Sequence, residues 1–165
     1  MLKIISYPAV PDFGRLMYVY QQSILQSGRE NYPYLDENLQ LLEAEQDFYA
    51  FLKAFLKEPN TLCAVWMVEE RYVAVLRSEP YRDGMLITGV ETAPEYRNCG
   101  YAKQLLRAVV DYLHGCGVQK IYSHIHIANA SSVRVHLSCG FVKVLDSASF
   151  IDGSVNYESC TYLHL

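Results

Sequence analysis

The chain has 165 residues, 51% of them apolar and 19% charged, with a formal net charge of −4. That length suits one domain around one core, and a single domain over residues 1–165 is the expectation. No apolar run reaches the ~20 residues needed to span a bilayer. A mildly acidic chain without basic clusters argues against nucleic acid as its partner. Met1-Leu2-Lys3-Ile4-Ile5 lacks the length and cleavage site of a secretory signal, so the expected location is cytoplasmic. The five cysteines, Cys63, Cys99, Cys116, Cys139 and Cys160, contain no Cys-x-x-Cys pair. Neither a disulfide framework nor a zinc site is expected, and reduced thiols suit that compartment.

In chain order, Leu2 to Tyr7 alternates as a strand does. Pro11-Asp12-Phe13 opens a helix, with Leu16, Val19, Tyr20, Ser23 and Ile24 as its inner stripe and Gly28 as its stop. Residues 29–36 read as a loop, with Tyr32 and Tyr34 on either side of Pro33. A second helix runs from about Asn38 to Lys57, with Leu41, Leu42, Glu45, Phe48, Tyr49, Leu52 and Phe55 on its inner side; Pro59-Asn60 ends it. Thr61 to Val68 is almost continuously apolar, as expected of a strand covered on both faces. Glu69-Glu70-Arg71 turns it into Tyr72–Arg77, and Asp83-Gly84 signals a short hairpin. Met85 to Thr92 is strand-like, and Ala93-Pro94 ends it because proline removes a ladder donor.

Arg97-Asn98-Cys99-Gly100-Tyr101-Ala102 then runs into an amphipathic helix. Leu105, Leu106, Val109, Val110 and Leu113 share one face, and Gly115-Cys116-Gly117 is its end. A small-residue turn feeding a helix N-terminus suits an anion, since the first N–H groups lack partners and the dipole adds positive charge. Arg97 and Lys103 add formal charge. The competing reading is an ordinary capped surface helix. Neither a Gly-x-x-x-x-Gly-Lys-Ser/Thr nor a Gly-x-Gly-x-x-Gly pattern occurs. Downstream, Ile121 to Ile127 is a strand, Asn129 precedes a short helix, and Gly140-Phe141 opens the next strand. Phe141–Leu145 and Tyr157–His164 read as a final antiparallel pair, with a turn at Asp152-Gly153.

Arg97-x-x-Gly100-x-Ala102, after a strand and opening a helix, resembles the acetyl-CoA loop of the GNAT superfamily of N-acetyltransferases. The later strand, Asn129, helix and Gly140-Phe141 resemble that family's second motif. The resemblance covers Met85 to Val144 closely. It implies an α/β fold: a central mixed sheet with splayed middle strands, flanked by helices on both faces, with acyl-CoA in the gap. It implies that Arg97, Asn98, Cys99, Gly100, Tyr101, Ala102 and Lys103 hold the pyrophosphate. The main chain of Val90, Glu91 and Thr92 would run beside the pantetheine arm. The implied reaction is transfer of an acetyl group from acetyl-CoA, as cosubstrate and without a metal, to a primary amine of a small molecule by direct attack. A protein or peptide acceptor, or a catalytically weak acyl-CoA-binding module, are the alternatives.

The amine must lose a proton before attack, and Glu91 is the carboxylate nearest the expected thioester. Where the family often has a Tyr as acid toward the CoA sulfur, this chain has His136, which is expected to contact the thiol. Asn129 is a suitable N-cap, and by family analogy it bonds the pantetheine with help from Ser132. Tyr32 and Tyr34 either wall the acceptor or pack as an ordinary connector. His124 and His126 share one strand face but lack a third ligand, so they line the acceptor cleft or the core rather than a metal. No membrane partner is expected. Oligomeric state is left open, a homodimer being compatible with the sequence.

Overall fold

The computed structural model describes residues 1–6, 9 and 11–165, so the Tyr7 end of the first expected strand lies outside the described residues. The elements run β1 (Leu2–Ile5), α1 (Phe13–Asn31), α2 (Glu37–Phe55), β2 (Leu62–Val68), β3 (Arg71–Tyr81), β4 (Gly84–Thr92), α3 (Tyr101–Gly115), β5 (Ile121–His126), α4 (Ala130–Ser138), β6 (Val142–Leu145), β7 (Ala148–Ser149), β8 (Val155–Asn156) and β9 (Ser159–His164). Seven strands form one sheet in the order β1-β2-β3-β4-β5-β9-β6. Within it β4 and β5 pair in parallel, joined through α3, and the other pairs are antiparallel.

The sheet separates two cores. Leu105, Leu106, Val109 and Val110 of α3 pack with Ala74, Leu76, Ile87, Ile125 and Phe141 on one face. Leu16, Val19, Tyr20 and Ile24 of α1, with Ala44 and Leu52 of α2, pack on Cys63, Val65 and Val75 on the other. The 3.6-residue spacing of the α3 set puts its whole apolar stripe on the sheet.

Local chemistry sets the boundaries. Asp12 caps α1 by accepting from the Arg15 N–H, and Asp36 caps α2 by accepting from Asn38 and Leu39. Gly28 does not stop α1; the helix continues to Asn31. Its side-chain space is taken by α2, since a Cβ there would lie 2.6 Å from the Gln40 carbonyl oxygen. The inner side of α2 also departs from expectation. Gln40 and Ala44 are buried, whereas Leu42 and Tyr49 are exposed. Gln40 is buried because its amide donates to the Tyr32 and Leu35 carbonyls.

The hairpin before β4 is where Asp83-Gly84 signalled it, for a different reason. Arg82 takes the positive φ (50°), and Gly84 already belongs to β4, where a Cβ would run into the Lys120 carbonyl. Asp152-Gly153 turns between the short strands β7 and β8, which interrupt the expected final pair. The β6 and β9 strands still lie together, with β9 inserted beside β5.

Candidate active site

Two departures from regular pairing open the sheet. The β4–β5 ladder runs Met85↔Ile121, Leu86↔Tyr122, Ile87↔Ser123 and stops there. Beyond it the strands part, and no strand among the described residues pairs with the main chain of Thr88 to Thr92 on that side. On the other side, β4 carries one residue more than β3 between Arg77↔Thr88 and Val75↔Glu91. That bulge is at Gly89, whose φ is 57°. Because the bulge shifts the alternation, Val90 packs toward the α3 core while Glu91 sits opposite Val75, on the α1–α2 side.

The parted strands form a cleft of about 760 Å3, lined by β4, β5, the 97–103 turn and α4. Arg97, Asn98, Gly100, Tyr101, Ala102 and Lys103 border it, as do Val90, Glu91, Thr92, His124, His126, Asn129, Ser132 and His136. The turn reaches α3 through left-handed residues, Asn98 at φ 61° and Gly100 at φ 80°. Gly100 is the N-cap, and no side chain caps α3, so the first-turn N–H groups face the cleft unpaired. This cradle fits a diphosphate. The Arg97 Nε donates to the Thr92 carbonyl at 3.2 Å, tying the turn to the end of β4. Cys99 is exposed, with its Sγ against the Arg97 carbonyl.

On α4, the Asn129 side chain accepts from the Ser132 N–H at 3.0 Å, a working N-cap. His136 is 1% exposed. Its Nδ1 lies 2.8 Å from the Ser132 carbonyl, which can only accept, so Nδ1 carries the proton. Its Nε2 lies 3.0 Å from the Ser123 Oγ and therefore accepts. Burial pushes the His136 pKa below its ordinary value, which favours this neutral ring. The one proton of His136 is held by the Ser132 carbonyl, so the ring turns no N–H to the cleft and instead fixes the Ser123 hydroxyl where the strands part. His124 bonds Ser149 and Thr161, and burial lowers its pKa. The His126 Nδ1 accepts from the Ala128 N–H.

A second cavity, about 320 Å3, adjoins the cleft on the α1–α2 side. Tyr20, Ser23, Ile24, Ser27, Ala44, Asp47, Phe48, Phe51, Arg77 and Glu91 line it. Ser23 and Glu91 line both spaces, and the Ser23 hydroxyl donates to the Glu91 carboxylate at 2.5 Å. Burial raises the Glu91 pKa, opposed by the Ser23 hydrogen bond and the charges of Arg77 and Arg97. Tyr32 and Tyr34 line neither space: the Tyr32 hydroxyl donates to Asp47, and Tyr34 is 78% exposed. The smaller cavity is walled instead by Tyr20, Ser23, Phe48, Phe51 and Arg77. Two signals for it lay in the sequence. Arg77 is a lone charge directly after the apolar run Tyr72–Leu76, and a glycine inside a strand marks a bulge.

A larger open hollow, about 840 Å3, lies at the other end of the sheet near Asp83, Gly84, Tyr112 and Gln119. It faces the amino ends of β4 and β5, whereas ligands of such sheets collect at the carboxyl ends of the parallel strands.

The acetyltransferase (GNAT) family model matches residues 22–141. The chain belongs to the GNAT family of acetyltransferases. Both motifs of this GNAT domain, the uncapped α3 turn and the α4 segment, fall inside the matched range. Solved structures share the fold. The ribosomal-protein-S18-alanine N-acetyltransferase of Escherichia coli superposes with a TM-score of 0.61 at 17% identity, over 99% of this chain and 92% of that one. The PaiA N-acetyltransferase of Thermoplasma acidophilum, solved with coenzyme A, gives 0.67 at 12% identity, over 99% and 98%. A chimeric spermidine N-acetyltransferase from Vibrio cholerae and hSSAT gives 0.64 at 19%, over 98% and 93%. No curated protein sequence matches the chain. The family match makes this chain an acetyltransferase. No helix among the described residues is long and apolar enough to cross a membrane.

Proposed function

We propose that the chain is one domain that transfers an acetyl group from acetyl-CoA to the primary amine of a small molecule, by direct attack in a ternary complex. One observation carries this reading: Glu91 and Ser23 border both the cleft with the anion cradle and the smaller aromatic cavity. A carboxylate at that junction stands between a thioester on one side and an amine on the other.

Tyr101, Ala102 and Lys103 would hold the diphosphate through their backbone N–H groups, and the free edge of Thr88–Thr92 would pair with the pantetheine arm. When bound, acetyl-CoA supplies an activated acetyl carbon, whose C–S bond breaks as the C–N bond forms, the electron pair leaving on sulfur. Glu91 accepts the proton that an alkylammonium, pKa roughly 10, must lose. Its raised pKa suits a base near neutral pH. Ser23 orients the carboxylate. The Ser123 hydroxyl, where the strands part, donates its one proton to the His136 Nε2.

The deciding test is thiol release from acetyl-CoA across a panel of amines and peptides, beside calorimetry of acetyl-CoA binding. Turnover of small amines is expected. Turnover of peptides alone would move the acceptor to the protein class, and tight binding without turnover would make this a binding module.

A further inference from the structure

Arg77 lies in the aromatic cavity with most of its hydrogen-bonding capacity unused. Its guanidinium carbon lies 5.0 Å from the Phe51 ring centre, 5.5 Å from Tyr20 and 5.7 Å from Phe48. Nη1 donates to the Tyr20 hydroxyl at 3.3 Å. That hydroxyl donates onward to the Gly89 carbonyl at 3.2 Å, so the cation is anchored to the bulge. Nη2 lies against Gly89, where a Cβ would approach to 2.7 Å. The Nε is buried without an acceptor among the described residues. No carboxylate among them lies within ion-pair distance of Arg77. A guanidinium presents five donors in a rigid fork matched to a carboxylate, and a buried unpaired donor is costly. The aromatic residues hold the fork in place and take one of its five donors, at the Tyr20 hydroxyl.

The second charge in the cavity has the opposite sign. Glu91 faces Val75 across the ladder, and Arg77 is two residues on, on the same strand face. The bulge lies between the two positions, and both long side chains border the same cavity, where they can close on a small molecule from two sides. Asp47 also lines the cavity, from an exposed position, with its Oδ2 accepting from the Tyr32 hydroxyl.

We propose that the acceptor is a small zwitterion, a free amino acid or close analogue, with its amine toward Glu91 and its carboxylate on the Arg77 guanidinium. The proposal rests on the acceptor reading above and narrows it. The volume of about 320 Å3 suits a free metabolite rather than a polypeptide. A polyamine or simple alkylamine would leave Arg77 unpaired and set a second cation beside it.

The test uses the full chain with amino acids, each compared with its own carboxamide and its decarboxylated amine. Thiol release gives kcat/KM, and calorimetry on protein saturated with CoA gives binding without turnover. The carboxylate is expected to favour the amino acid by roughly 10- to 100-fold, the range for a charge-assisted hydrogen bond. Arg77→Gln should collapse that ratio toward one through KM. Arg77→Lys, which keeps the charge and loses the fork, should fall between. Equal or better use of the carboxamides by the wild type overturns the proposal while the acceptor reading stands. So does an acidic peptide preferred to every free amino acid, or a ratio that survives in both variants. Carboxylate-dependent binding without acetylation of any amine leaves Arg77 assigned and removes the acceptor reading instead.

Discussion

Glu91 carries the tension between stability and chemistry. Burial raises its pKa, so the fold holds its proton more tightly than the unfolded chain does. A carboxylate with a raised folded pKa adds stability below its ordinary pKa, and that stability is lost as pH rises through the folded value. At neutral pH the ionised group is therefore a cost. Glu91→Gln should cut kcat by roughly 10²- to 10⁴-fold and remove the acid limb of the kcat/KM profile. Its Tm at neutral pH should equal or exceed wild type, with the gap closing below the ordinary carboxylate range. An unchanged acid limb in the variant would exclude Glu91 as the base. His136 has the opposite sign. Its pKa is lowered by burial, so its contribution is full above about 6.5 and falls with pH as the unfolded chain takes up the proton. His136→Gln should flatten the acid side of the Tm–pH curve between about pH 5 and 7, read by thermal melts. A curve still parallel to wild type would mean that another group dominates there.

Among the elements, α3 is the one whose role is most legible in the sequence. Its apolar stripe, its uncapped start and its small-residue turn all follow from local rules, and they agree with the packing. Ala102→Glu tests the turn without harming the helix. A carboxylate in the first turn favours the helix dipole but opposes a bound diphosphate. Acetyl-CoA affinity should fall by roughly 100-fold or more, about 3 kcal/mol, with Tm unchanged or slightly higher. A parallel loss of Tm would show that Ala102 packs rather than borders the anion site. The bulge is less legible. Met85–Thr92 reads as one continuous strand, and the single glycine in it shows only that the register can slip, not which face each later residue takes. That face decides whether Glu91 borders the smaller cavity, and it follows only from the pairing with β3. The wall of the smaller cavity is hidden for a related reason. Tyr20, Ser23, Phe48, Phe51 and Arg77 come from three elements, and no spacing within one of them announces the convergence.

At the scale of the molecule, the sheet divides the labour. The α3–α4 side and the parting of β4 from β5 build the cleft, whereas α1 and α2 lean over β3 to build the cavity. The two meet at Glu91. The halves should therefore respond separately to a change at the α1–α2 contact, far from the turn at Arg97–Lys103. Gly28 is that contact. A methyl group there would sit 2.6 Å from the Gln40 carbonyl, and Gln40 in turn holds the Tyr32 and Leu35 carbonyls. Gly28→Ala forces the helices apart, since backbone cannot yield as a flexible side chain can. Overpacking of this kind costs about 1–3 kcal/mol, which lowers Tm. The shift moves Ser23, Ile24 and Ser27 relative to Asp47, Phe48 and Phe51, so the acceptor KM should rise several-fold. Acetyl-CoA affinity, measured by calorimetry on the folded variant, should stay within about twofold, because no residue of the 97–103 turn lines the smaller cavity or touches the Gly28 contact. An equal loss of both affinities would show that the helical layer and the cleft move as one body, and the division at Glu91 would then be geometric rather than energetic.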